Sequence, residues 1–342
     1  MIARLNVTDG TRATAASKDN FCYDAGMASR TKGIHHITAI TADPQKNLNF
    51  YEGFLGQRLV KKTVNFDDPR AYHLYYGDAA GVPGTILTFF YWPGVPAGTR
   101  GTGEVSGIMY AIDAETFEFW KTRAKEFGIA IQEETLSFGE KALAIQDPDG
   151  MRIGLVASAE ETKVDPWTEG PVPAEHALKG FFGASIALSE HAELSETLVQ
   201  GLGFAAGESA GSAMRYRAIH QPGLYLFTEE KPDLPRARQG AGSVHHIAFQ
   251  AADDTEREAL RKQVNDLGLS STGMIDRQYF HSTYFMTPAG VLFELATDDI
   301  GFTVDEEKAE LGENLKLPPQ YEGHRQEIEK ILVPLTLPRH KK

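Results

Sequence analysis

The apolar positions of this chain switch between two periods, and the switch recurs four times. Spacings of three and four mark helices at Leu48, Tyr51 and Leu55, at Phe117, Trp120, Ala124 and Phe127, and at Leu260, Val264 and Leu267. These runs, and another ending at Leu202, each close on an apolar residue followed by glycine. Gly56, Gly128, Gly203 and Gly268 are thus expected as left-handed helix caps. Asp43-Pro44 opens the first helix with a capping side chain and a proline in the first turn. A strand-like run precedes each helix and three follow it. Asp147-Pro148-Asp149-Gly150 and Thr287-Pro288-Ala289-Gly290 are matching turns before matching last strands. The expected fold class is α+β, four βαβββ modules in tandem.

The modules divide the chain. Residues 1–30 are polar, aperiodic and rich in small side chains, so a disordered tail is expected, without the n-region, h-region and cleavage site of a signal peptide. The first domain spans 31–158 (modules one and two), a Pro-rich linker 159–175, the second domain 176–298 (modules three and four) and a C-terminal extension 299–342. That extension carries a Pro-Pro break and a helix-like run from Glu322 to Leu332, for which a plain packing role is expected.

Composition narrows the function classes. A net charge of -13 speaks against nucleic acid or an anionic membrane surface as partner. No apolar run approaches the roughly 18–20 residues that span a bilayer. A single cysteine, Cys22, excludes an intramolecular disulfide and removes thiolates as the source of several metal ligands, and a cytoplasmic location is expected.

Two strand-like runs carry the chemistry. They read Ile34-His35-His36-Ile37-Thr38 and Val244-His245-His246-Ile247-Ala248, and Glu294 lies inside a third, apolar run, Gly290 to Leu295. Two imidazoles and a carboxylate form a facial triad suited to Fe(II) or Mn(II), with coordination positions left open. Aligned module on module, His36 matches Gly107, Gly183 and His246, and Glu294 matches Thr88, Gly154 and Phe227. Only the first and fourth modules keep ligand-type side chains. One metal needs all its ligands within bonding distance, so module one is expected to pack on module four, and two on three. His36, His246 and Glu294 are the expected ligands, and a buried Glu without such a partner is costly. His73, His176, His191, His220, His324 and His340 show no comparable grouping and read as ordinary histidines.

The arrangement resembles the vicinal oxygen chelate superfamily, and within it the para-hydroquinone, chlorohydroquinone-type ring-cleaving dioxygenases. The likeness runs from Gly33 almost to the C-terminus. It is most specific at Gly33–Thr38, Val60–Pro69, Tyr72–Asp78, Pro83–Phe90 and Leu315–Pro319. It implies two half-barrel pairs and the same three ligands. It also implies working residues at His245, Tyr284, Arg277, Thr38 and His35. His245, ordinarily titrating near roughly 6.5, would be the acid/base; Tyr284 would bond the bound ring oxygen and Arg277 would stabilise negative charge. Thr38 and His35 would hold ligands or substrate in place. Tyr75, Phe89, Phe90, Tyr91 and Trp92 suit a pocket wall but also ordinary strands.

The implied activity is cleavage of a dihydroxybenzene ring with O2, using Fe(II), with Mn(II) as the other ion this donor set accepts. The implied partners are a small aromatic substrate and O2; a homo-oligomer stays open, since superfamily members vary. Two other readings compete: a glyoxalase-type lyase or isomerase, which typically puts a second carboxylate on the metal, and a protein that binds quinones without turnover. Thr88, Gly154 and Phe227 offer no such carboxylate.

Overall fold

A computed structural model describes residues 29–340 apart from 221. The tail expected over 1–30 falls almost wholly outside that range, and its last two residues are held: Ser29 N–H donates to Gln263 and the Arg30 guanidinium to the Gly203 carbonyl. The first module comprises β1 (Ile34–Thr41), α1 (Pro44–Leu48), β2 (Arg58–Val64), β3 (Tyr72–Gly77) and β4 (Ile86–Tyr91). The second comprises β5 (Glu104–Ile112), α2 (Phe117–Glu126), β6 (Gln132–Thr135), β7 (Lys141–Gln146) and β8 (Arg152–Ala157). The third has β9 (Phe181–Leu188), α3 (Ala192–Glu196), β10 (Ser209–Ala210), β11 (Ala213–Arg217) and β12 (Tyr225–Glu230). The fourth has β13 (Val244–Ala251), α4 (Asp254–Asp266), β14 (Ile275–Asp276), β15 (His281–Met286) and β16 (Leu292–Thr297).

The punctuation read from the sequence operates as chemistry. Asp43 accepts the Gln45 and Lys46 N–H groups with Pro44 in the first turn, and Asp253 caps α4 through Glu256 N–H. All four closing glycines are left-handed, with φ of 71° at Gly56, 67° at Gly128, 77° at Gly203 and 82° at Gly268. The helical faces bury Leu48, Tyr51, Leu55, Trp120, Ala124, Leu260 and Val264. Phe127 departs from expectation. It is 48% exposed at the C-cap of α2, where its ring meets Phe54 and the Arg123 guanidinium.

Two eight-stranded sheets result, ordered β14-β15-β16-β13-β1-β4-β3-β2 and β10-β11-β12-β9-β5-β8-β7-β6. Module one therefore shares a sheet with module four, and two with three, as the ligand argument requires. Antiparallel β1 and β13 form the seam of the first sheet, with Thr38 opposite His246 and His36 opposite Ala248. Parallel β4 and β16 flank the seam, placing Thr88 beside Thr38 and Glu294 beside Ala248. Gly154 lies beside Met109 and Phe227 beside Ser185 in the other sheet. Those four pairs follow the module alignment residue for residue. Gly183, in a ligand-equivalent position, has a packing reason for lacking a side chain: a Cβ there would meet the Tyr225 carbonyl at 2.4 Å.

The C-terminal extension covers the β2 edge of the first sheet. Lys62 bridges to Leu315, and Lys316 N–H donates to the Lys62 carbonyl, which removes an open strand edge. Buried Lys61 meets Asp305 and Glu306, and Arg339 meets Glu52 and Glu313. The helix-like run is a 3-10 turn followed by α5 (Arg325–Ile331).

Candidate metal centre

Alternation along strands aims three donor side chains into the first sheet's concave face. His36 comes from β1, His246 from β13 and Glu294 from β16; all three are buried. His246 Nε2 lies 2.9 Å and His36 Nε2 3.3 Å from Glu294 Oε2, with 3.4 Å between the two nitrogens. Yet no N–H is aligned on Oε2, so this buried carboxylate oxygen lacks a hydrogen-bond donor. Three lone-pair atoms converging in a buried site repel one another unless a cation lies among them. The residues fit a divalent metal, and two imidazoles with one carboxylate match the facial set for Fe(II) or Mn(II). Burial works to raise the Glu294 pKa, but the His36 and His246 imidazoles outweigh it and hold the carboxyl well below its ordinary value.

Each ligand is backed by the histidine before it. His35 Nδ1 is 2.9 Å from His36 Nδ1, and His245 Nδ1 is 2.8 Å from His246 Nδ1. For Nε2 of each ligand to offer a lone pair, its proton sits on Nδ1 and donates to the neighbour, fixing both tautomers. Burial, then the adjacent imidazole, pushes His35 and His245 down to about 3. The expected ordinary titration of His245 near neutrality is therefore corrected: desolvation keeps its ring neutral. Phe90 and Trp92 pack at His245, and Phe280 at His35 and His36.

Above the metal donors lies a narrow cleft with about 40 Å³ of open space. Thr38, Arg277 and Tyr284 line it, as do Asn65, Phe66, Asp67, His73, Tyr75, Phe90 and Phe280; His35 and His245 stand behind the ligands. The Arg277 guanidinium donates to the Tyr284 hydroxyl at 3.3 Å and pairs with Asp67 across the cleft. Burial, then Glu294, raises the Tyr284 phenol above its ordinary value, so it is a donor at neutral pH. Arg277 is positioned by its neighbour Gln278, the one described non-glycine residue at positive φ (68°). Asp276 accepts the Gln278 N–H and Asp305 its side-chain amide, so the C-terminal extension holds this loop in place.

Two working side chains were not singled out in the sequence. Ser282 donates to Glu294 Oε1 at 2.5 Å; it stands two residues before Tyr284 on the same strand face, and that period was the available signal. His73, read as an ordinary histidine, is instead buried in the cleft wall between Tyr75 and Phe90, with both ring nitrogens engaged. Of the wall aromatics, Tyr75 and Phe90 line the cleft, whereas Phe89 packs on Tyr51 in the core.

Residues 33–155 match the model of the Glyoxalase/Bleomycin resistance protein/Dioxygenase superfamily. The chain is 41% identical over 311 residues to "Putative ring-cleaving dioxygenase MhqO" of Bacillus subtilis (strain 168), covering 91% of this chain and 99% of that one. It is 34% identical over 315 residues to the chlorohydroquinone/hydroquinone 1,2-dioxygenase of Sphingobium indicum, covering 88% and 96%. A crystal structure from Bacillus subtilis, described as a "putative dioxygenase", superposes with a TM-score of 0.87 at 40% identity, over 91% of this chain and 99% of that one. Glyoxalase I from Zea mays shares the fold, with a TM-score of 0.58 at 15% identity over 78% of this chain and 92% of that one. The chain belongs to the Glyoxalase/Bleomycin resistance protein/Dioxygenase superfamily, among its ring-cleaving dioxygenases.

Proposed function

We propose that this enzyme cleaves the ring of hydroquinone or a substituted para-dihydroxybenzene with O2, and that its metal is Fe(II), with Mn(II) as the alternative. The observation that carries the reading is the buried His36, His246 and Glu294 set opening on a cleft of ring-binding and proton-donating side chains. The name of the Sphingobium relative supports the substrate class. The bound metal supplies the route by which electrons pass between a closed-shell ring and O2. His36, His246 and Glu294 would hold it. Phe66, Phe90 and Phe280 supply apolar surface for the ring. Tyr284 would donate to the ring oxygen nearest the metal, and Arg277, fixed against Tyr284, would stabilise the negative charge left on that oxygen. Thr38 would orient the ring from the opposite wall, and His35 and His245 would fix the ligand tautomers. His245 would also be the residue that moves a proton, through its ring nitrogen that does not face His246.

The glyoxalase-type alternative requires a second carboxylate, and Thr88, the counterpart of Glu294, is hydrogen-bonded to Thr38 and His73 instead. The test is O2 uptake by protein purified without oxygen, reloaded with Fe(II) and given hydroquinone or methylhydroquinone. Uptake matching loss of the ring absorbance, abolished by His246→Ala or Glu294→Ala, is expected. Metal-loaded protein that consumes no O2 with either ring refutes the reading.

A further inference from the structure

The seam between β1 and β13 relates the two halves of the cleft by a pseudo-twofold axis, and the halves are built differently. On the β16 side stand Glu294, its partner Ser282 and Tyr284. On the β4 side the corresponding places are taken by Thr88, His73 and Tyr75. There, four buried groups form one hydrogen-bonded chain. Thr38 Oγ1 is 2.9 Å from Thr88 Oγ1, which is 2.8 Å from His73 Nε2, and His73 Nδ1 is 2.8 Å from the Tyr75 hydroxyl. None is more than 7% exposed.

Counting hydrogens shows what the chain can do. Three hydroxyls and a neutral imidazole carry four hydrogens for three links, so one hydrogen is always left over at an end. It is either the Thr38 or the Tyr75 hydroxyl hydrogen, and both residues line the cleft. Changing the His73 tautomer reverses the whole chain, so that the donor end becomes the acceptor end. Burial, then His36 and His246, lowers the His73 pKa well below its ordinary value, consistent with the neutral ring this requires.

We propose that this chain is a second ligand subsite, which holds the other hydroxyl of a para-dihydroxybenzene while the first faces His36, His246 and Glu294. The inference rests on the ring-cleavage reading and adds which residues select a ring with a second oxygen. Two hydroxyls para on a ring point in opposite directions; His36 and His246 stand on the seam, Glu294 and Tyr284 on its β16 side, and the hydrogen-bonding chain runs to its β4 side. A phenolic hydroxyl both donates and accepts, and a reversible chain satisfies it in either sense.

The test compares binding of hydroquinone and phenol, which lacks only the second hydroxyl, to the full-length, Fe(II)-loaded protein without O2, by calorimetry. Wild type is expected to hold hydroquinone about 10-fold more tightly than phenol, the size of one hydrogen bond into a buried site. Tyr75→Phe cuts an end of the chain and Thr88→Val its middle. Each is expected to shrink that ratio to about 3-fold or less and leave phenol affinity unchanged. Metal content and melting temperature identify any variant that has not folded, and either variant alone suffices. A full hydroquinone preference in a folded, metal-loaded variant overturns the subsite and leaves ring cleavage standing. So does equal weakening of both ligands, or a wild type that does not discriminate. Metal-loaded wild type that binds neither ring overturns this inference together with the reading beneath it.

Discussion

Ser282→Ala isolates how the carboxylate ligand is held. The Ser282 hydroxyl donates to Glu294 Oε1 at 2.5 Å, and both residues are 0% exposed. A hydrogen bond to a charged group contributes about 1.5–3 kcal/mol. It acts on the apo and metal-bound states together, so not all of that appears in affinity. What appears is the cost of re-aiming a carboxylate that has regained rotation and a tendency to protonate in a buried place. Loss of such a supporting partner typically weakens metal binding about 10- to 100-fold, or ~1.4–2.7 kcal/mol. The assay is anaerobic competition for Fe(II) or Mn(II) against a chelator at neutral pH, with Tyr284→Phe beside it. That control removes a cleft hydroxyl but leaves the Ser282 bond intact, so its metal affinity is expected within twofold of wild type. If Ser282→Ala binds metal as tightly as wild type, the short bond contributes nothing to ligand orientation and the reasoning is wrong.

Three further predictions address other parts of the molecule. Saturating metal is expected to raise the melting temperature, since about 2.7 kcal/mol is gained at 100 times Kd; His246→Ala should abolish the rise in a thermal scan. Lys61→Met leaves Glu306 buried without its cation, and breaking a buried pair costs about 3–5 kcal/mol; an unchanged denaturation midpoint would contradict the role given to the triad. The third concerns pH. Burial raises the Asp147 carboxyl to about 6, above its unfolded value, so the folded protein binds more protons between about pH 4 and 6. Stability should therefore fall as pH rises through that window, at up to ~1.4 kcal/mol per unit. Asp147→Asn should remove this contribution, so the wild-type-minus-variant difference should decline between about pH 4 and 6, and parallel curves would refute the assignment.

Much of this was legible because repetition supplies an internal alignment. Four glycine caps, the Asp43 cap and two matching turns mark module positions in the sequence, and local backbone chemistry fixes them wherever they occur. The ligands could be found for the same reason: a His where sister modules carry Gly, and a Glu where they carry Thr, Gly or Phe, stand out by contrast. What stayed hidden depends on partners brought close by the sheet. His73 shares a strand face with Tyr75, but its meaning comes from Thr88 on the neighbouring strand, which no spacing rule joins to it. Asp67 faces Arg277 across 210 positions of sequence. The lowered pKa of His245 follows from desolvation, which no dipeptide reveals. Phe127 keeps the helical period and is still half exposed, because it stands at the helix cap, against Phe54 and the Arg123 guanidinium.

The pairing of first module with last has a consequence for biosynthesis. His36 and His246 are 210 residues apart, and at about 5–20 residues per second a ribosome needs roughly 10–40 s to make the intervening chain. The inner sheet, from modules two and three, can close during that interval, whereas β1 waits with its seam edge unpaired until β13 emerges. Metal capture is thereby deferred to the end of translation. A truncated chain lacking β16 has no Glu294 and cannot assemble the donor set, so metal content reports completed synthesis as well as correct folding.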